Sequence, residues 1–284
     1  MRIIIHTTLI NYIPLTLQEI MRYLKPNTEY NSIAFSGCGL LLPYHFGVVK
    51  CLKDNNIKFK KASGVSAGTF GAGAILGMAH LDLGIRQSYD LMVNSTVGPF
   101  GNLLNNVEDC FNYYIKNDAY QKAKGKWYVV CATGIRPKTM ICNDFKDPDE
   151  LRSAALGGCW LPGIFGMKAR RYKNKIIYDH GLIDGAYPLE QCSVLVSLMT
   201  TKSVFTKRLT DITIEADRSV FPALSWMMPN KKNPELFHRN TYVIGYNTCQ
   251  SMIEGESKKK LVDVLSEYQT IMDRLVNWRD MNWT

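Results

Sequence analysis

The sequence predicts an α/β fold in which a mainly parallel central sheet carries packed helices. Three observations predict it. Apolar runs of strand length alternate with helix-length amphipathic segments over most of the chain. Two of those runs end in glycine turns that open directly into helices, at Gly37-Cys38-Gly39 and at Gly64-Val65-Ser66-Ala67-Gly68. Finally, 46% hydrophobic content over 284 residues is enough for one large core.

The elements follow in order. Met1–Leu24 reads as a short strand and an amphipathic helix. Asn31–Ser36 is a short buried strand that ends in the first glycine turn. Pro43–Asp54 is a helix with proline in its first turn, where no intrahelical N–H is needed. Phe59–Gly64 is the second strand and Ala67–Ala79 an apolar, small-residue helix. Leu81–Ser95 and Asn105–Ile115 have helical periodicity, with Gly98–Leu104 a loop between them. Trp127–Thr133 and Thr139–Asn143 are neighbouring strands, and Asp147–Ala155 is a helix that Asp147 or Asp149 can cap. Lys175–Tyr178 and Ser193–Met199 are further strands. After Thr200 only Leu261–Val276 reads clearly, as a helix. The expected organisation is an N-terminal extension (1–30), a core (31–200) and a mainly helical C-terminal extension packed on it (201–284).

Charge and cysteine usage narrow the functional classes. The formal net charge of +9 favours an anionic partner. Basic residues cluster at Lys122–Lys126, Lys168–Lys175, Lys231–Lys232 and Lys258–Lys260, without the aromatic interleaving or zinc spacing of a nucleic-acid module. No nucleic-acid partner is expected. Ser219–Pro229 sets apolar and Trp side chains just before Lys231 and Lys232, which suits either a peripheral lipid contact or a loop capping the core. The eight cysteines are scattered with no C-x-x-C pair, as expected of reduced thiols and not of a disulfide framework or zinc site. Met1–Leu24 lacks the basic start and long apolar core of a signal peptide, and Ser63–Ala79 is too short and glycine-rich to span a bilayer. A cytoplasmic protein, peripheral on lipid surfaces, is the expectation.

Gly64-Val65-Ser66-Ala67-Gly68 has the G-x-S-x-G form of a nucleophile elbow. Glycines at both ends allow a tight turn, and the serine then stands clear of the sheet at the positive end of a helix. Gly37-Cys38-Gly39, one strand–helix unit earlier, can bare backbone N–H groups to an oxyanion or a phosphate. As a dinucleotide loop it fails, because Leu42 occupies the sixth position of G-x-G-x-x-G and no acidic residue closes the second strand. A third turn, Tyr178-Asp179-His180-Gly181-Leu182-Ile183-Asp184-Gly185-Ala186, offers two carboxylates, Asp179 and Asp184, that a neighbouring strand's serine can meet.

In this order the three motifs resemble the patatin-like phospholipases, and most nearly the branch that includes the adipose triglyceride lipases. Phe35-Ser36-Gly37-Cys38-Gly39 followed by Tyr44-His45-Phe46-Gly47-Val48 carries the closer likeness, and the resemblance covers about Ser32 to Pro188. It implies a three-layer α/β/α sandwich with residues 31–200 as the catalytic core. It further implies hydrolysis of phospholipid or acylglycerol esters by a Ser–Asp dyad, without metal or cofactor. Ser66 is then the nucleophile, Gly37, Cys38 and Gly39 the oxyanion hole, and Gly64 and Gly68 the elbow glycines. For the base, Asp184-Gly185-Ala186 is the literal D-G-A match. Asp179, however, lies nine residues before Pro188 and Asp184 only four, and the longer spacing is the family-like one. Asp179 is preferred and Asp184 is the alternative. On that alignment His180 replaces the motif's first glycine and Gly181 supplies its second, while Leu42 is a further departure. Two other readings remain: a Ser–Asp–His triad completed by His238, and a lipid-binding pseudoenzyme of the same fold. His6, His45, His80 and His180 have no ligand spacing. Oligomeric state is open.

Overall fold

The computed structural model describes residues 23–94, 107–108, 113–162, 169–198, 210–215, 233–253, 261–277 and 280–281. Nearly all of Met1–Leu24, most of Asn105–Ile115, the Ser219–Pro229 segment, Lys231–Lys232 and Lys258–Lys260 lie outside them.

Among the described residues eight strands form one sheet. They are β1 (Glu29–Phe35), β2 (Lys58–Val65), β3 (Trp127–Thr133), β4 (Lys138–Cys142), β5 (Arg170–Tyr172), β6 (Lys175–Asp179), β7 (Cys192–Ser197) and β8 (Thr210–Glu215). The helices are α1 (Leu42–Asp54), α2 (Gly68–Ile75), α3 (Leu81–Asn94), α4 (Ala119–Ala123), α5 (Pro148–Gly157), α6 (Pro234–Gln250) and α7 (Leu261–Arg274). The predicted α/β class holds, and the pairings β1–β2, β2–β3, β1–β7 and β7–β8 are all parallel. Such strands are covered on both faces, which is why β7 is buried at every position.

Boundaries follow local chemistry. Pro43 lies in the first turn of α1. Asp147 is the residue that caps α5, accepting the Glu150 N–H at 2.7 Å, while the Glu150 carboxylate accepts from the Lys146 N–H. Helix α2 ends at Ile75, short of the predicted Ala79, because Gly77 turns the chain at a φ of +71°. α4, β5, β8 and α6 have no counterpart among the sequence expectations, although Asn233-Pro234 is a helix-start signal and the Asn233 side chain does accept from Leu236 N–H.

The main core lies between one sheet face and the helices. Side chains two apart on a strand share a face, so Phe35, Gly64 and Trp127 line it together, and α2 sets Gly71 against Phe35 and Gly73 against Trp127. Helix α6 packs on α1 at backbone contact. A Cβ on Gly245 would come within 2.1 Å of the Tyr44 carbonyl, and one on Gly47 within 2.1 Å of the Tyr242 carbonyl. The opposite face carries two smaller clusters, Ala34–Ala186–Cys192–Leu195 and Ala132–Trp160–Tyr178.

Register explains what the sheet does at its C-terminal edge. Residues 129–133 of β3 pair with β4 along one side. On the other side β2 pairs up to Val65↔Val130, and β6 takes over antiparallel from Asp179↔Cys131. Two strands running in opposite directions therefore share one side of β3, and their C-terminal ends, Val65 and Asp179, meet head to head.

Candidate active site

Ser66 follows Val65 directly, so the meeting of β2 and β6 delivers it to Asp179. Its Oγ donates to Asp179 Oδ2 at 2.5 Å. Ser66 holds a φ of +52°, a left-handed conformation that costs a non-glycine residue about 1–2 kcal/mol. The flanking glycines are required by contact. A Cβ on Gly64 would fall 2.4 Å from the Thr69 backbone, and one on Gly68 would fall 2.3 Å from the Ser36 carbonyl. The elbow is thus pressed against the end of β1 on one side and against its own helix on the other.

Asp179 is 4% exposed. Burial pushes its carboxyl up to about 6, against the opposing pull of hydrogen bonds from Ser66 and the Gly181 N–H. That second bond, Gly181 N–H to Oδ1 at 2.7 Å, closes the short 3-10 turn His180–Leu182. Gly181 suits the position because a Cβ there would lie 3.0 Å from the same Oδ1. The Asp179 N–H donates to the Trp160 carbonyl, so backbone, turn and the Ser66 hydroxyl all hold the carboxylate.

Asp184 is placed differently. It is half-buried in the following turn, its carbonyl meets His180 Nδ1 at 2.9 Å, and its carboxylate faces the Ala186 N–H at 3.4 Å. The structure brings Asp179, and not Asp184, to Ser66 Oγ. Beyond it, the Gly185 carbonyl accepts the Gly37 N–H at 2.7 Å, and the Tyr187 carbonyl accepts from Ser63 Oγ. The D-G-A stretch ties the turn after Asp179 to the glycine loop.

In that loop Gly39 adopts a φ of +53°. Gly37 N–H is engaged by Gly185, whereas the N–H groups of Cys38 and Gly39 make no hydrogen bond to another of the described residues. Ser36 anchors the loop, accepting from Leu198 N–H through its Oγ, while its carbonyl meets His45 Nε2 at 2.9 Å. Burial lowers His45 to about 4, so it is a neutral strut.

Sequence reasoning missed Cys159. It lies in the turn after α5, where burial together with the nearby Asp179 charge holds its thiol well above the ordinary value, against a smaller lowering pull from Ser66. Cys38 is raised likewise, by burial and then Asp179. No local pattern marked Cys159. The seven described cysteines are all free thiols.

His238, the third member of the alternative triad, is not at this site. It is fully buried between α3, α6 and α7, with Nε2 2.9 Å from Ser88 Oγ and Nδ1 2.8 Å from Tyr268 Oη. Burial is the main cause that lowers it to about 3. His180 is also occupied, bridging the Asp184 carbonyl to Thr139 Oγ1 on β4. Among the described residues no group of three His, Cys, Asp or Glu side chains can hold a metal ion, and no helix is long and apolar enough to cross a membrane.

Comparison with known proteins sets this geometry in context. No protein-family model matches the chain. Patatin-like phospholipase domain-containing protein 2 of Mus musculus is 25% identical over 168 residues, covering 55% of this chain and 34% of that protein. The Mus musculus 1-acylglycerol-3-phosphate O-acyltransferase Pnpla3 is 23% identical over 172 residues, covering 56% and 41%. The chain thus spans between a third and a half of the length of these curated relatives. Among solved structures, VipD from Legionella pneumophila aligns with a TM-score of 0.42 at 12% identity, over 89% of this chain and 77% of that one. A chain of the ExoU–SpcU complex from Pseudomonas aeruginosa aligns with a TM-score of 0.39 at 12% identity, over 90% and 60%. Through its curated relatives and the order of its three motifs, the chain resembles the patatin-like phospholipase family.

Proposed function

We propose that this chain is a carboxylic ester hydrolase that cleaves acyl esters of phospholipids or acylglycerols with Ser66 as nucleophile and Asp179 as base. The observation that carries this reading is the 2.5 Å hydrogen bond from a left-handed elbow serine to a buried carboxylate. Ser66 Oγ attacks the ester carbonyl as its proton passes to Asp179 Oδ2. A carboxylate near 6 is a stronger base than an ordinary aspartate and is still ionised at neutral pH. The N–H groups of Cys38 and Gly39 and the first turn of α2 face the developing oxyanion, with Gly37 holding the loop through Gly185. Asp179 then returns the proton to the departing alkoxide. Water, or a second acylglycerol, takes the acyl group from Ser66. Because an ester leaves as an alkoxide rather than an amine, a dyad without histidine suffices.

The test is active-site labelling with a fluorophosphonate alongside hydrolysis of a short-chain ester. Wild-type protein should label and turn over, and Ser66→Ala should do neither. Absence of labelling in folded wild-type protein would overturn the proposal in favour of the lipid-binding pseudoenzyme.

A further inference from the structure

The tip of the β3–β4 hairpin has no part in the dyad, yet it stands beside it. Thr133, where the turn begins, is two residues beyond the Cys131↔Asp179 pair, about 7 Å along the strand. β6 buttresses this turn, since Thr133 Oγ1 donates to the Ile176 carbonyl and Tyr178 Oη to the Gly134 carbonyl. The turn's own residues, Gly134-Ile135-Arg136-Pro137-Lys138, are all exposed. Ile135 is 104% exposed, so its whole aliphatic side chain stands in water on a braced support. Ile176 on the adjoining strand and Leu182, in the turn after Asp179, are 43% and 50% exposed.

Charge around the tip is net positive. Residues 133–142 and 170–178 contain six cations and no carboxylate. Arg170 pairs with Glu108 and Lys173 with Asp144. Among the described residues Arg136, Lys138, Arg171 and Lys175 form no ion pair. A bare aliphatic side chain among unpaired cations matches a surface that is apolar beneath an anionic layer. A nucleic acid would satisfy the cations but leave Ile135 without a partner.

We propose that the β3–β4 tip is a lipid-docking element, in which Ile135 enters an anionic phospholipid surface while Arg136 and Lys138 meet its headgroups beside the Ser66–Asp179 site. The choice of a lipid partner rests on the hydrolase reading, so docking is measured on Ser66→Ala protein, where turnover plays no part.

The experiment is co-sedimentation with vesicles of phosphatidylcholine and phosphatidylglycerol in equal parts, and with vesicles of phosphatidylcholine alone. The Ser66→Ala protein should prefer the anionic vesicles. Adding Ile135→Asp should weaken that binding by about tenfold or more, the scale of one buried aliphatic side chain. Adding Arg136→Gln with Lys138→Gln should weaken it by about 25-fold, at about fivefold per cation. Lys122→Gln with Lys124→Gln removes the same formal charge at the end of α4, ahead of β3 and away from the tip, and should change binding less than twofold, a figure of about the size of experimental scatter. All these positions are exposed and a melting curve checks folding. The proposal fails if the Lys122/Lys124 variant loses as much as the tip variant, if Ile135→Asp binds like its parent, or if the tip cations are needed only for a single-stranded RNA oligonucleotide.

Discussion

Asp179 and Asp184 share one short turn region, yet they differ in nearly everything that decides chemistry. Asp179 ends a strand, is shielded from water, and has one oxygen on Ser66 and the other on a backbone N–H. Asp184 is half-buried beyond the strand, with its carboxylate 3.4 Å from the Ala186 N–H. The literal D-G-A match is at Asp184, but the carboxylate that strand register aims is Asp179. Position in the sheet, not identity of the neighbouring letters, separates the carboxylate that meets Ser66 from the one that does not.

The sharpest way to break the comparison is exchange to asparagine. On the proposed mechanism Asp179→Asn should lower kcat for a soluble ester by about a thousandfold, the range of a lost general base. A comparable loss in Asp184→Asn instead would reverse the assignment.

The next effect is on stability, and its sign is unusual for a carboxylate. The native carboxyl binds its proton up to about pH 6, while the unfolded one releases it near 3.8. Stability is therefore lost as pH rises through this window, by about 3 kcal/mol at most, and the loss persists above it. Asp179→Asn should abolish this slope and raise Tm at pH 8 by about 5 °C. Equal melting temperatures for the two proteins at pH 5 and pH 8 would show that burial does not strain this group. The same titration predicts that kcat/KM in the wild type climbs with pH and levels off above about 6.

His238→Ala sharpens the contrast from another region. It should cost about 2 kcal/mol by removing the imidazole partner of the Tyr268 and Ser88 hydroxyls, the latter keeping its bond to the Ile85 carbonyl, while kcat of the folded protein stays unchanged. Smaller still, Gly181→Ala pushes a Cβ against Asp179 Oδ1 and should lower kcat by about tenfold, roughly 1.4 kcal/mol, with KM unaffected. Asp184→Asn should be the mildest, within about threefold, as expected of a carboxylate with no direct part in proton transfer.

Much of this arrangement was legible before the fold was known. Gly64 and Gly68 announce a turn that no Cβ can enter, and β1, β2, β3 and α1 have buried runs or proline starts that leave little choice. The missed elements carry weaker local signals. β5 has three residues, and Ile212 and Ile214 in β8 are too few to establish an alternation amid an irregular stretch. In α6 the contact with α1 is made through Gly245, which adds nothing to an apolar stripe. Which aspartate faces Ser66 depends on where β6 begins to pair with β3, a long-range property that no window of sequence contains. The closeness of Cys159 to the Asp179 charge is of the same kind.

The head-to-head meeting of β2 and β6 has a consequence for how the chain assembles. Ser66 and Asp179 are 113 residues apart, so closing the loop between them is among the more demanding entropic steps of folding. The elbow can form early from β1, β2 and α2, all close in sequence. Its partner arrives only when the β5–β6 hairpin adds to β3. A nascent chain ending before that hairpin holds the strained serine without the Asp179 carboxylate, so on the proposed mechanism the onset of ester cleavage during refolding should coincide with the antiparallel β3–β6 pairing and trail the parallel β1–β2 and β2–β3 pairings.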